Sequence, residues 1–384
     1  MAEFVFITSV VVIAYAYLGY PAVLTTLSRF LGQSIKKADI TPRVSLIIAA
    51  YNEERDIARK IRNALALDYP ADKLEIIVTS DCSTDRTDEI AREFQGCVTL
   101  LRMPHRLGKT AAQNRAASNS TGEILVFSDA TTDYDASAVS KLVRSFADPG
   151  VGCVAGRLVY RNSANAGVGK GCISYWSYER FLKTEESRLS SLIGVSGCLY
   201  AVRRSSYVML ERDLSSDFVI AAEIRLLSLR TVYEPEAICY EDTNRRGADE
   251  VRMRVRIIEQ TITALSRYRE LLDPFRHGLF AFQLISHKVA RYLVPWLLVG
   301  ALLSNLAASR SIPALNITLI IQAAFYSMAI CGAMMERLRV SSKILALPSY
   351  FVLGNVAAAI GLIKFFLGHS HIVWEPVREV RQEQ

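Results

Sequence analysis

Four stretches of the chain, residues 4–28, 292–309, 311–335 and 344–363, contain no charged side chain. At about 1.5 Å per residue, each has the length of a helix that crosses roughly 30 Å of hydrocarbon. Between them the hydrophobic period changes. From 43 to 253, short apolar runs at 44–49, 74–79, 98–102 and 123–128 alternate with helix-period segments near 53–67, 86–95 and 109–119. That rhythm predicts βαβ units and a mostly parallel sheet covered on both faces. A further helical pattern covers 220–229. Ligands of such sheets bind beyond the carboxyl ends of the strands, so the residues that follow each strand carry the chemistry.

All 45 basic and 38 acidic residues lie outside the four apolar windows, although 51% of the chain is hydrophobic. This excludes a disordered, collagen-like or disulfide-scaffold protein and favours one soluble α/β domain joined to a membrane part. The seven cysteines (82, 97, 153, 172, 198, 239 and 331) are odd in number and show no Cys-x-x-Cys spacing. They read as inert core thiols of a reducing compartment, neither a disulfide framework nor a zinc site. The net charge of +7 clusters beside the apolar windows, which points to anionic lipid and away from nucleic acid.

The first window lacks the positive start and short apolar core of a cleaved signal, so residues 1–30 read as a retained transmembrane anchor. Arg29, Lys36, Lys37 and Arg43 follow it and place the 43–253 domain in the cytoplasm; Arg337, Arg339 and Lys343 favour the same orientation. Residues 254–291 interleave arginines with apolar side chains, the pattern of a region lying along the inner headgroup surface. Residues 292–368 form the C-terminal membrane helices, with kinks expected at Pro295, Pro313 and Pro348, and 369–384 a charged tail. The expected location is the inner cell membrane, multi-pass.

Asn52-Glu53-Glu54 follows the first strand, and Asp81-Cys82-Ser83-Thr84-Asp85 the second. Asn52 and Asp85 also suit helix capping, but Asp81 exceeds what a cap needs and points to a nucleotide. Gly108 and Lys109, with Arg106, form a loop suited to phosphate near a helix start; the P-loop pattern itself is absent. The fourth strand ends in Asp129, a carboxylate that a divalent ion carrying a nucleotide diphosphate would satisfy, and it is the strongest metal-ligand candidate. Asp133 and Asp135 read as solvated or capping residues.

Taken in order, Asn52-Glu53-Glu54, Asp81 to Asp85, Gly108-Lys109 with Asn114, Asp129, Ser196-Gly197-Cys198-Leu199-Tyr200 and Asp217 resemble the inverting, membrane-associated family 2 glycosyltransferases. The resemblance implies a GT-A nucleotide-sugar-binding domain with helical transmembrane segments. It assigns donor binding to Asn52, Glu53, Asp81, Asp85, Lys109, Asp129 and Arg256, with Asp129 meeting the diphosphate through Mg²⁺ or Mn²⁺. Gly197 and Cys198 would meet the acceptor, and Asp217 would be the catalytic base; a helix cap is the alternative role for Asp217. The implied partners are a nucleotide-diphosphate sugar, a UDP-sugar foremost, a lipid-linked or saccharide acceptor, and membrane lipid.

The sequence departs from the family pattern at two places. Asp129 is followed by Ala130 and Thr131 in place of Asp-x-Asp, leaving water, Asp133 or another group as the second ligand. Where processive synthases carry Gln-x-x-Arg-Trp, this chain has Met253-Arg254-Val255-Arg256-Ile257, without the tryptophan platform for a growing chain. Transfer of one or a few sugars is therefore favoured, with a processive polysaccharide synthase as the alternative. An inactive nucleotide-sensing membrane scaffold is the reading from another class, and retention of both Asp129 and Asp217 argues against it. No Gly-x-Gly-x-x-Gly follows the first strand, which excludes a nicotinamide dehydrogenase. His287 reads as an interfacial structural residue.

Overall fold

The computed structural model describes residues 1–161, 167–242, 247–338 and 342–368, so the charged tail at 369–384 lies outside the described residues. Eight strands form one sheet: β1 (Val44–Ala50), β2 (Leu74–Ser80), β3 (Thr99–Arg102), β4 (Ile124–Asp129), β5 (Asp133–Tyr134), β6 (Val151–Arg161), β7 (Leu199–Arg203) and β8 (Arg230–Asp242). Their spatial order is β3-β2-β1-β4-β7-β6-β8-β5. β1 is almost wholly buried, with Ile47 opposite Ile77 of β2 on one side and Phe127 of β4 on the other. Alternate β1 side chains enter different cores, as the two-residue period of a strand requires. Leu46 and Ile48 pack with Ile57 and Ile61 of the Ile57–Leu65 helix, whereas Ile47 joins Phe127, Tyr200 and Phe218 on the other face. Each such fully buried side chain contributes about 1.5–3 kcal/mol.

The first four strands of the order are parallel, as the βαβ rhythm predicts. β7 then runs antiparallel to both β4 and β6, so the sheet as a whole is mixed. This reversal builds the site. Leu199 at the start of β7 pairs with Ser128, which brings the segment 196–198 to the carboxyl end of β4, beside Asp129.

Four helices, Ala2–Leu31, Leu279–Ala308, Leu315–Met335 and Ile344–Phe366, are long and apolar enough to cross a membrane. Phe4, Ile7, Ile317, Ile320 and Leu347 stand exposed on them, a surface that hydrocarbon rather than water suits. Pro295 and Pro348 lie inside helices, but Pro313 falls in the turn before Leu315 and kinks nothing. The second helix begins well before the uncharged window at 292–309 and carries Lys288 and Arg291. It contains a π-turn at Ile285–Val289, matched by another at Tyr15–Gly19 in the first helix, and Tyr15 and Ser286 join the two by a hydroxyl hydrogen bond of 2.8 Å.

Candidate active site

The loops after β1 and β2 hold one another. Asn52, with a positive φ of 53°, accepts the Thr84 N–H at 2.6 Å, and its own N–H donates to Ser83 Oγ at 3.0 Å. Asp85 accepts the N–H groups of Thr87 at 3.0 Å and Glu54 at 3.1 Å. Glu53 is nearly buried between them, its N–H donating to Thr87 Oγ1 at 2.6 Å. Asp81 accepts the N–H groups of Leu107 and Gly108, both at 2.8 Å, and so anchors the basic loop to the end of β2. The Arg106 guanidinium lies 3.9 Å over the Tyr51 ring. Gly108 at φ 92° lets this loop turn directly into the Lys109–Asn119 helix, a backbone state costly for other residues.

Lys109 is the centre of the site. Its ammonium pairs with Asp129 and donates to the Gly197 carbonyl at 3.4 Å. Asp217 sits in the first turn of the Ser216–Leu226 helix with its carboxylate against Gly197, where a Cβ would collide with it. Burial pushes the Asp217 pKa up; Lys109 opposes the rise and Asp129 adds to it. Burial also acts against the Lys109 charge, but Asp129 and Asp217 outweigh it and raise the ammonium above its usual value. Arg256, on the Gly247–Arg267 helix, is pulled down by burial while the charges of Asp217 and Asp129 oppose that effect. Asp129, Asp217, Lys109, Gly197 and Arg256 therefore converge.

Other candidates stand apart from that cluster. The Cys198 thiol points into the core, 3.5 Å from the Cys239 sulfur. Asp133 is bound by Arg59 and by Arg161 at 2.7 Å, and Asp135 caps Ser137 at 3.0 Å. His287 is buried, with Nδ1 2.6 Å from Glu186 and Nε2 3.3 Å from Glu179, a structural position. The sequence reading missed Glu241. Burial and the nearby Asp129 push its pKa up to about 8. Its signal was the one that identified Asp129, a carboxylate ending an apolar strand.

Residues 45–208 match the family described as Glycosyl transferase family 2. "Probable glycosyltransferase YdaM" of Bacillus subtilis (strain 168) is 28% identical over 212 residues, 52% of this chain and 50% of that protein. "Poly-beta-1,6-N-acetyl-D-glucosamine synthase" of Staphylococcus aureus (strain COL) is 27% identical over 217 residues, 53% of this chain and 52% of that one. The chain thus spans about half the length of the curated relatives it matches. In fold it is similar to mannosyltransferase PcManGT from Pyrobaculum calidifontis, solved in complex with GDP-Man and Mn²⁺: TM-score 0.70, 24% identity, 96% of this chain and 99% of that one. The strand-end loops after β1, β2 and β4, Lys109 and β7 accordingly lie within a family 2 glycosyltransferase domain at residues 45–208, in a chain of GT-A fold joined to four long apolar helices.

Proposed function

We propose that the chain transfers a sugar, with inversion, from a nucleotide-diphosphate sugar to a hydroxyl of a lipid-linked or saccharide acceptor at the cytoplasmic face of the cell membrane. The observation that carries this reading is the grouping of Asp129 and Asp217 about Lys109, with Gly197 leaving room for the Asp217 carboxylate. Asp217 accepts the proton of the acceptor hydroxyl, whose oxygen bonds to the anomeric carbon as the bond to the diphosphate breaks on the opposite face. Its raised pKa suits it to that task, because a base works best when its pKa approaches the working pH. Lys109 and Arg256 face the charge that grows on the departing diphosphate. Asn52, Glu53, Asp81 and Asp85 shape the nucleoside end, and UDP-sugars are the first donors to try.

The residues fit a divalent cation. Asp129 presses its charge on both Asp217 and Glu241, whose pKa values rise, and a cation at Asp129 would relieve that repulsion. Among the described residues no three His, Cys, Asp or Glu form a ready-made metal site, so Asp129 would hold Mg²⁺ or Mn²⁺ together with diphosphate oxygens and water. Bound there, the ion would neutralise diphosphate charge. Asp133, tied up by its arginines, is poorly placed as a second ligand.

The four apolar helices and the basic residues after the first support a multi-pass protein with 43–253 in the cytoplasm and 254–278, the part of the amphipathic stretch that precedes the Leu279–Ala308 helix, at the interface. The names of the staphylococcal relatives favour a second reading, repeated addition to a polysaccharide. One experiment tests both: membrane-reconstituted protein, beside Asp217→Asn, is given UDP-sugars and GDP-mannose with and without Mg²⁺ or Mn²⁺. Asp217-dependent turnover of one donor is expected, with product length separating single from repeated transfer. Equal turnover by Asp217→Asn would overturn the assignment.

A further inference from the structure

Two lysines outside the donor cluster approach Asp217 from elements that belong to or touch the membrane helices. Lys183, on the Gly167–Leu189 helix, donates to Ser196 Oγ at 2.8 Å, and Ser196 directly precedes the Gly197 that borders the Asp217 carboxylate. Lys288 stands in the π-turn Ile285–Val289, within electrostatic reach of both Lys183 and Asp217. Both side chains are half-buried.

The neighbouring acids are already committed. Glu179 pairs with Arg291 at 2.5 Å and with His287 at 3.3 Å. Glu186 accepts the Tyr20 hydroxyl at 2.6 Å and meets His287 at 2.6 Å. Among the described residues, neither Lys183 nor Lys288 has an ion-pair partner, and Lys288 has no hydrogen bond. Two like charges held close together, shielded from water and without a counter-ion, are costly unless an anion joins them. The π-turn adds to the case, since such bulges disturb helix hydrogen bonding and concentrate at functional sites.

We propose that Lys183 and Lys288 form an anion subsite for a phosphate-bearing acceptor, seating its phosphate while the hydroxyl to be glycosylated reaches Asp217. This rests on the glycosyltransfer reading and narrows its acceptor to an anionic class. The phosphate belongs to a membrane lipid or to a soluble sugar phosphate, two sources with one recognising chemistry.

The test uses the full chain in phosphatidylcholine nanodiscs, with empty discs as blank, and measures binding by calorimetry. Farnesyl phosphate is compared with farnesol, and glucose 1-phosphate with glucose. The wild type is expected to prefer the phosphorylated member of at least one pair about tenfold or more. Preference within the farnesyl pair identifies a lipid source, and preference within the glucose pair a soluble one. Lys183→Gln and Lys288→Gln should each remove much of the preference, the double variant all of it, and Lys→Arg at both positions should restore it. Donor affinity on the same discs reports that the variants are folded. No preference in either pair, or a preference that survives the double substitution, overturns the proposal. Donor turnover separates the two claims: turnover without phosphate preference defeats only the subsite, whereas phosphate preference without turnover of any nucleotide sugar defeats the transfer reading.

Discussion

The charges around Asp129 and those around His287 are both partly withdrawn from water, yet they are arranged to opposite ends. Around His287 every acid has a partner: Glu179 holds Arg291 and His287, and Glu186 holds His287 and Tyr20. Burial pushes the Glu179 pKa up, but Arg291 and His287 overcome it and hold the carboxyl well below its usual range. Around Asp129 the acids are less fully neutralised, and the Asp217 and Glu241 pKa values rise. A balanced network fixes how the Gly167–Leu189 helix seats on the membrane helices. An unbalanced one waits for a ligand to complete it.

Replacing Asp217, the proposed base, should break the unbalanced cluster hardest. Asp217→Asn is expected to lower transfer roughly 10³-fold while donor affinity, read by calorimetry, stays within about threefold. A parallel loss of donor affinity would show that Asp217 helps to bind the nucleotide. Because burial raises its pKa, Asp217 ionises at higher pH than an ordinary aspartate. The acid limb of kcat/KM should therefore climb as pH rises through that displaced value, and a limb at the ordinary aspartate position would argue against Asp217 as base.

The balanced network should respond in stability. Glu179→Ala leaves Arg291 without its acid and His287 with Glu186 alone, and should cost about 3–5 kcal/mol, measured by chemical unfolding in detergent. A cost under about 1 kcal/mol would place the network in the class of solvated surface pairs. Asp129→Ala should weaken donor binding about 10- to 100-fold in Mg²⁺ or Mn²⁺ and much less in chelator. An equal loss in both conditions would move the cation to another residue.

How much of this was legible beforehand follows from the range of the forces involved. β1, β2 and β4 fall within one residue of their expected bounds, because each is an apolar run ended by polar residues. Asp129, Lys109 and Asp217 each carry a local signal, a charge at a strand end or helix start, and the structure brings them together. The antiparallel β7 carries no such signal: its direction is set by pairing with β4 and β6, distant in sequence. The orientation of Cys198 follows from that same strand. The helix starting at Leu279 looked shorter because Lys288 and Arg291 interrupt the apolar pattern, and the acid that offsets Arg291, Glu179, lies more than 100 residues away. Lys60 was hidden for a related reason, since Arg59-Lys60-Ile61-Arg62 reads as an ordinary solvated helix face.

Lys60 sharpens the comparison because, among the described residues, it has neither an ion-pair partner nor solvent. It is fully buried, its ammonium lacks a hydrogen bond among the described residues, and it lies 3.7 Å over the Tyr134 ring. Burial lowers its pKa from 10.5 to about 7, with the Asp133 and Asp129 carboxylates opposing. The folded chain therefore binds this proton more weakly than the unfolded chain does. Between about pH 7 and 10.5 the unfolded state carries more protons, so stability should rise with pH across that window and level off above it. Lys60→Met should abolish the slope and, at pH 7, add on the order of 4 kcal/mol, the weight of that fall in pKa from 10.5 to about 7, because an apolar side chain of similar length suits the site better. A slope that survives the substitution would assign it to another group. Unchanged donor affinity in Lys60→Met would mark Lys60 as an isolated core charge, whereas weakened affinity would show that its field reaches the diphosphate site through Asp129.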